Sequence, residues 1–287
     1  MTKARRVIAE AVRLHDVVIE VLDARMPASS ENPVLAELRK QTPCLKVLGK
    51  SDLADPDVTR AWLQHFGTIE SEGTDAAKGA GGRVIAVAIS SDRPAETKAR
   101  IPELCRRLSR ATTRSTAMRA MVVGIPNVGK STLINTLMDR KVAKVGDEPA
   151  VTKAQQNVVL KSGMILSDHP GLLWPKMEDE TTVLRLALGG ALPDRAIDYE
   201  TVAMFGASFL LERYPRLVLA RFRLGTLPAS AHELLVEIAR RRGGLRSGGA
   251  VDLHKAADVL IHELRSGALG RISLESPGDF ARPAFVV

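Results

Sequence analysis

The run Gly124-Ile-Pro-Asn-Val-Gly-Lys-Ser131 fills every position of the G-x-x-x-x-G-K-[ST] pattern, and no other stretch constrains the fold so tightly. A loop of this kind works only between a strand and a helix. Its two glycines turn backbone N–H groups inward around phosphate oxygens, and the following helix adds its positive N-terminus. The flanks comply: Met121-Val-Val123 reads as the incoming strand, and Ser131–Met138 has the apolar spacing of a helix. The pattern leads us to expect that Lys130 bridges the β- and γ-phosphates and Ser131 ligates Mg²⁺, with Asn127, Val128, Gly129 and Thr132 as further nucleotide contacts.

The chain around this loop alternates strands and helices. Residues 3–15 have helical spacing, Val17–Leu22 is a β-branched run, and Leu35–Lys40 continues a helix. Cys44–Leu48 and Val84–Ile89 read as further strands, Asp57–Phe66 and Pro102–Leu108 as helices, and Gly67–Gly82 as a surface loop. Asn157–Leu160 and Met164–Leu166 form a predicted hairpin turning at Lys161-Ser-Gly163. Such alternation predicts an α/β fold, a doubly wound and mostly parallel sheet. Strand signals stop near Pro175. Thr181–Leu192, Tyr199–Tyr214, Ala229–Arg241 and Leu253–Ser266 are helical patterns between Pro and Gly breakers. The expected organisation is a nucleotide domain over 1–175, a linker over 176–198, a small all-helical domain over 199–275 and a loosely held tail over 276–287.

Three more motifs give the phosphate loop its context. Asp168-His-Pro-Gly171 ends a strand some forty residues after the loop, where a D-x-x-G switch belongs. There Asp168 is expected to hold Mg²⁺ through water and the Gly171 N–H to meet the γ-phosphate. Thr152 stands between the two, in a polar segment suited to closing on Mg²⁺ and the γ-phosphate. Gly49-Lys50-Ser51-Asp52 follows a strand, as the guanine-reading N-K-x-D does. A carboxylate at Asp52 pairs with the two N–H donors on the guanine edge, which adenine lacks, and the Lys50 stem lies along the base. Gly49 departs from the usual Asn, so guanine preference is expected to rest on Asp52, with weaker binding or a substitute donor. Ser90-Ser91, after the third strand, occupies the position of the Ser-Ala loop whose backbone N–H reads guanine O6. In a Ras-type GTPase the phosphate loop opens the domain and the base-reading elements follow. Here that order is reversed, which predicts a circularly permuted P-loop GTPase domain.

The formal charge of +8 points to nucleic acid or a nucleoprotein surface as partner. Aromatic residues make up only 3% of the chain, so RNA contacts are expected to be made to phosphates by Arg and Lys rather than by base stacking. The candidates are Arg240, Arg241, Arg242 and Arg246, clustered around Gly243-Gly244. Cys44 and Cys105 stand in apolar contexts without metal-ligand spacing and read as two buried thiols. No window approaches the ~18 apolar residues of a membrane span, and the charged N-terminus lacks a secretory signal. These features suggest a cytoplasmic protein.

Taken together the motifs resemble the ribosome biogenesis GTPase A family (YlqF/RbgA), within the circularly permuted GTPases. The resemblance rests on Lys3-Ala-Arg-Arg6, Val17–Pro33 with Leu22-Asp-Ala-Arg25, the phosphate loop, Val151-Thr-Lys-Ala-Gln-Gln156 and Asp168–Gly171. In the helical part it rests on Leu245-Arg-Ser-Gly-Gly249 and Leu264–Ser273. It implies a monomeric GTPase that binds GTP and GDP, docks on the maturing large ribosomal subunit and its rRNA, and leaves after hydrolysis. Hydrolysis is expected to be slow alone and stimulated by the subunit. Asn127 matches the Asn that helps seat K⁺ in potassium-dependent relatives.

Leu172 follows the second switch where Ras-type enzymes carry a water-orienting Gln, and an apolar side chain cannot polarise water. No residue in the sequence is therefore assigned as the catalytic group. The family carries a Pro-Gly-His stretch just upstream of the position of Met1, and that histidine is a candidate water-positioner. His169 is a weaker one, because D-x-P-G loops tolerate various residues there. A GTP-dependent RNA-binding scaffold with negligible turnover is the alternative reading. An ATP-using phosphotransferase is disfavoured by Asp52 and by the lack of an acceptor-site motif.

Overall fold

Every residue of the first strand, β1 (Val17–Asp23), is buried, which marks it as the centre of a sheet covered on both faces. The computed structural model describes residues 3–71, 83–109, 117–138, 156–168, 179–244 and 250–280. Among these, β1 pairs in parallel with β2 (Cys44–Gly49) on one side and β4 (Arg119–Val123) on the other. Outside β2 lies β3 (Val84–Ala88), and outside β4 lie β6 (Ile165–Asp168) and β5 (Gln156–Val159). The order is β3-β2-β1-β4-β6-β5, and only the β5–β6 hairpin is antiparallel.

Even-numbered side chains of β1 and β2 face one layer of helices. Val18 and Cys44 pack with Ile8, Ala11 and Val12 of α1 (Lys3–Val12), and with Leu35 of α3 (Pro33–Arg39). Leu22 and Leu48 pack with Trp62 and Phe66 of α4 (Pro56–Ser71). Between these clusters Lys46 contacts Glu20 and Glu31 and sits 4.5 Å over the Phe66 ring, so its buried ammonium is neutralised by two carboxylates. α5 (Pro94–Ser109) packs on β1, β2 and β3 and also on α6 (Lys130–Met138). It starts at Pro94 rather than Pro102, because Pro102 is accommodated inside the helix. α4 likewise runs on to Ser71, through the first residues of the expected loop.

The chain divides into two units, Met1–Lys176 with Glu275–Val287, and Met177–Leu274. This differs from the sequence-based boundaries at both ends of the second unit. The stretch expected as a linker contains α7 (Glu180–Leu188), with Asp179 accepting from the Thr181 and Thr182 amides as its N-cap. Its helical spacing is visible in the sequence, but its membership of the second unit is not. The chain after Leu274 groups with the first unit, and residues 281–287 of the expected tail lie outside the described residues. Glu275 is buried in the first unit, where its side chain accepts from Ser29 and its carbonyl from Trp62. No local pattern announces that return.

Within the second unit, α8 (Tyr199–Arg213), α10 (Ala231–Arg241) and α11 (Leu253–Ser266) pack on one another, and α7 lies against α8 and α11. Asp198, Ser230 and Asp252 cap their N-termini. A further helix, α9 (Pro215–Phe222), lies in a stretch that the spacing left unassigned. Among the described residues no helix is long and apolar enough to cross a membrane.

Candidate nucleotide site

In an open α/β sheet, ligands bind where successive strands are added in opposite directions, outside the strands' carboxyl ends. Here that point lies between β1 and β4. β1 leads into Asp23-Ala-Arg25 and β4 into the phosphate loop, while β2 leads into Gly49–Asp52, β3 into Ser90-Ser91, and β6 ends at Asp168. The parallel topology therefore brings the phosphate loop, the base-reading candidates and the first residue of the second switch to one edge of the sheet.

The phosphate loop depends on its glycines for different reasons. Gly124 has φ +154°, and a Cβ there would lie 2.5 Å from the Val21 carbonyl oxygen, so β1 and the loop touch backbone to backbone. Gly129, at φ +105°, has open space around it and is required by conformation alone. Asn127 also takes a left-handed conformation, at φ 59°. α6 starts at Lys130, so Ser131 lies in its first turn. The Lys130 ammonium is buried and donates to the Ile125 carbonyl at 2.6 Å. Burial lowers its pKa to about 8 against the attraction of the Asp168 carboxylate. Asp168, itself buried, pairs with Val122 of β4 across the sheet. Hydroxyl and carboxylate oxygens of this kind, Ser131 and Asp168, suit a hard cation, and GTPases generally use Mg²⁺.

The two base-reading candidates meet. The Asp52 carboxylate accepts from the Ser91 amide at 3.3 Å and lies 3.4 Å from the Ser91 hydroxyl. Ser51 donates from both its amide and its hydroxyl to the Ile89 carbonyl, at 3.2 and 2.8 Å. Ser90 holds the next turn by accepting from the Asp92 amide. Gly49 sits where a Cβ would come within 3.0 Å of the Val128 carbonyl oxygen, so the base loop rests directly on the phosphate loop.

Sequence reasoning passed over Asp23 and Arg25, quoted only as part of a family resemblance. The Asp23 carboxylate, fully buried, accepts from Arg25 Nε and Nη2 at 3.0 and 2.8 Å and from Lys50 Nζ at 2.9 Å. Burial opposes its ionisation, yet Arg25 and Lys50 hold it well below the usual carboxylate range. The signal in the sequence is an acid and a base two residues apart where a mostly apolar strand ends. Thr152, His169, Gly171, Leu172 and Arg246 lie outside the described residues.

Strand order, loop order and site together define a circularly permuted P-loop GTPase. Residues 119–192 match the family model of the 50S ribosome-binding GTPases. The chain is 41% identical to ribosome biogenesis GTPase A of Bacillus licheniformis, over 97% of this chain and 96% of that protein. It is 31% identical to ribosome biogenesis GTPase A of Thermotoga maritima, over 96% and 92% respectively. The crystal structure of GNP-bound YlqF from T. maritima superposes with a TM-score of 0.61 at 28% identity, covering 96% of this chain and 98% of that one. The chain belongs to the ribosome biogenesis GTPase A family and is a GTP-hydrolysing enzyme of ribosome biogenesis.

Proposed function

We propose that the protein is a GTP-driven switch in late assembly of the large ribosomal subunit, and that the subunit stimulates its hydrolysis. The observation that carries this reading is the contact between Asp52 and Ser91 at the same sheet edge as Lys130 and Asp168. One element can read guanine while the other holds the phosphates. Lys50, Ser51, Asp52, Ser90 and Ser91 take the base, and Asn127 to Thr132 take the phosphates. Ser131, Thr152 and Asp168 would hold Mg²⁺, which when bound neutralises charge on the β- and γ-phosphates. Asn127 would also help to seat K⁺.

GTP orders the segments around Thr152 and Gly171, and loss of the γ-phosphate releases them. The second switch is only a short stretch of chain from Met177, where the helical unit begins. Its arginines, Arg240, Arg241, Arg242 and Arg246, are the proposed rRNA phosphate contacts. The protein acts in the cytoplasm as a monomer.

The test is GTP turnover by the full chain with and without purified large subunits, in KCl and in NaCl. Stimulation by the subunit, greater in KCl, is expected. Guanine nucleotide binding without stimulation in either salt would replace this reading with a GTP-dependent RNA-binding scaffold. Base reading is tested separately by Asp52→Asn, which should exchange preference for guanine for preference for xanthine, because the amide inverts one member of the bidentate pair.

A further inference from the structure

The position opposite Asp23 in the β1–β2 register is Gly49, where guanine-reading loops usually carry an Asn. A side chain there would have to press the phosphate-loop backbone away by a few tenths of an ångström. A Cβ on Gly49 would lie 3.0 Å from the Val128 carbonyl oxygen and 3.5 Å from that of Leu22, both of them backbone atoms. The side-chain brace expected between base loop and phosphate loop is thus replaced by direct backbone contact, which leaves the residue after it, Lys50, to be held by something else.

Lys50 adopts φ 57°, outside the conformations most side chains prefer, and its ammonium donates to Asp23 at 2.9 Å. Asp23 cannot swing. Its carboxylate is gripped by the Arg25 fork at two atoms and by the Arg25 amide at 3.0 Å, and its own amide donates to the Ser30 hydroxyl at 3.0 Å. Ser30 in turn donates to the Pro27 carbonyl. Arg25 is only 1% exposed and also feels the Asp52 carboxylate. The Lys50 side chain, by contrast, is 27% exposed, so its stem remains open to a ligand.

We infer that Asp23 and Arg25 are positioning residues for guanine recognition: they hold Lys50 extended as the platform for the base, the bracing role that Gly49 has given up. A free lysine loses rotamer entropy on being ordered, and a fixed anchor removes much of that cost before the nucleotide arrives. Arginine suits the far side of the anchor because its planar fork grips both oxygens of the carboxylate, while Oδ2, which accepts from Arg25 Nη2, also accepts from Lys50.

This inference rests on the guanine-site reading above, and the test separates the two. Affinity for the fluorescent nucleotide mant-GDP is measured in the full chain with Mg²⁺ for Lys50→Met, for Asp23→Asn combined with Arg25→Met, and for all three changes together. Replacing both buried charges at once avoids stranding one of them. Lys50→Met and the Asp23/Arg25 pair should each weaken binding about tenfold, and the triple change should be no worse than Lys50→Met alone. Arg25→Lys keeps the charge but not the fork, and serves if the paired variant fails to fold. It should weaken binding in the unaltered background and have no further effect with Lys50→Met. Effects that multiply, or an Asp23/Arg25 variant that binds as tightly as the unaltered chain, would overturn the positioning role while leaving the guanine site intact. Failure of the unaltered chain to bind mant-GDP would overturn both.

Discussion

The Glu275 carboxylate closes on Ser29, accepting from its amide at 3.0 Å and from its hydroxyl, although the two residues lie at opposite ends of the chain. Trp62 donates from its ring nitrogen to the Glu275 carbonyl at 3.2 Å, and Phe280 lies 6.0 Å from the Trp62 ring. The helical unit is therefore an insertion whose two ends both return to the GTPase unit. One end follows Asp168–Gly171 in the chain, and beyond the other end Glu275, in the first unit, contacts Ser29 of α2 (Pro27–Ser30), a short helix that follows Asp23 closely in the chain.

Glu275→Ala should destabilise the GTPase unit by about 1–3 kcal/mol, since it leaves the buried amide and hydroxyl of Ser29 without their acceptor. Adding Ser29→Ala should cost less than a second decrement of that size, because the orphaned hydroxyl goes with it. Urea denaturation of the full-length chain, followed by Trp fluorescence, measures both.

Gly124→Ala and Gly129→Ala should differ although both alter the phosphate loop. At Gly124 the new methyl meets the Val21 carbonyl and the backbone is also strained, so destabilisation of about 3 kcal/mol or more is expected. At Gly129 strain acts alone, about 1–2 kcal/mol. Gly49→Asn should weaken mant-GDP binding rather than restore a missing interaction, because the added carbons press on Val128. Thermal melts and nucleotide titrations check the series.

Burial pushes the Cys44 and Cys105 thiols up to about 12. A thiol raised in the folded state stays protonated where the unfolded chain has begun to ionise. Its contribution to stability is thus present below the ordinary thiol range and lost as pH rises from about 9 towards 12. Native protein should show no reaction with Ellman's reagent at pH 8, and denatured protein should show two thiols. Rapid labelling of either cysteine in the native state would contradict the packing of β2 and α5.

Arginines of the helical unit should separate into two groups. Arg242 and Arg221 both bind Glu263, which is 7% exposed, at 3.0 and 2.8 Å. Removing either should destabilise the helical unit by about 1–2 kcal/mol, and removing both should cost more than the sum, since Glu263 would then be buried without a cation. Arg240 and Arg241 are exposed and share Glu237 at the surface. Changing these to Ala should alter stability by less than about 1 kcal/mol. It should also reduce the salt dependence of rRNA binding by roughly one unit of slope for each phosphate that is no longer neutralised. Melting curves and RNA binding across a KCl series distinguish the groups.

Features written in local spacing were legible in the amino-acid order alone. The strand–loop–helix around Gly124–Ser131, the β-branched run of β1, the hairpin of β5 and β6 and the reversed motif order all follow from residues close together in the chain. Local periodicity also found four of the five α-helices that the described residues of the second unit form. It missed α9, which has a Pro at its start, and it gave no sign that α7 belongs with the helical unit rather than with a linker. Long-range packing settled the rest: that Glu275 belongs to the first unit, that Asp52 meets Ser91, and that Lys50 is anchored on Asp23. Each of those contacts joins a polar group to a partner supplied by another strand, its following loop or the far end of the chain. Burial makes such partners necessary, but hydrophobic spacing carries no record of which partner it is.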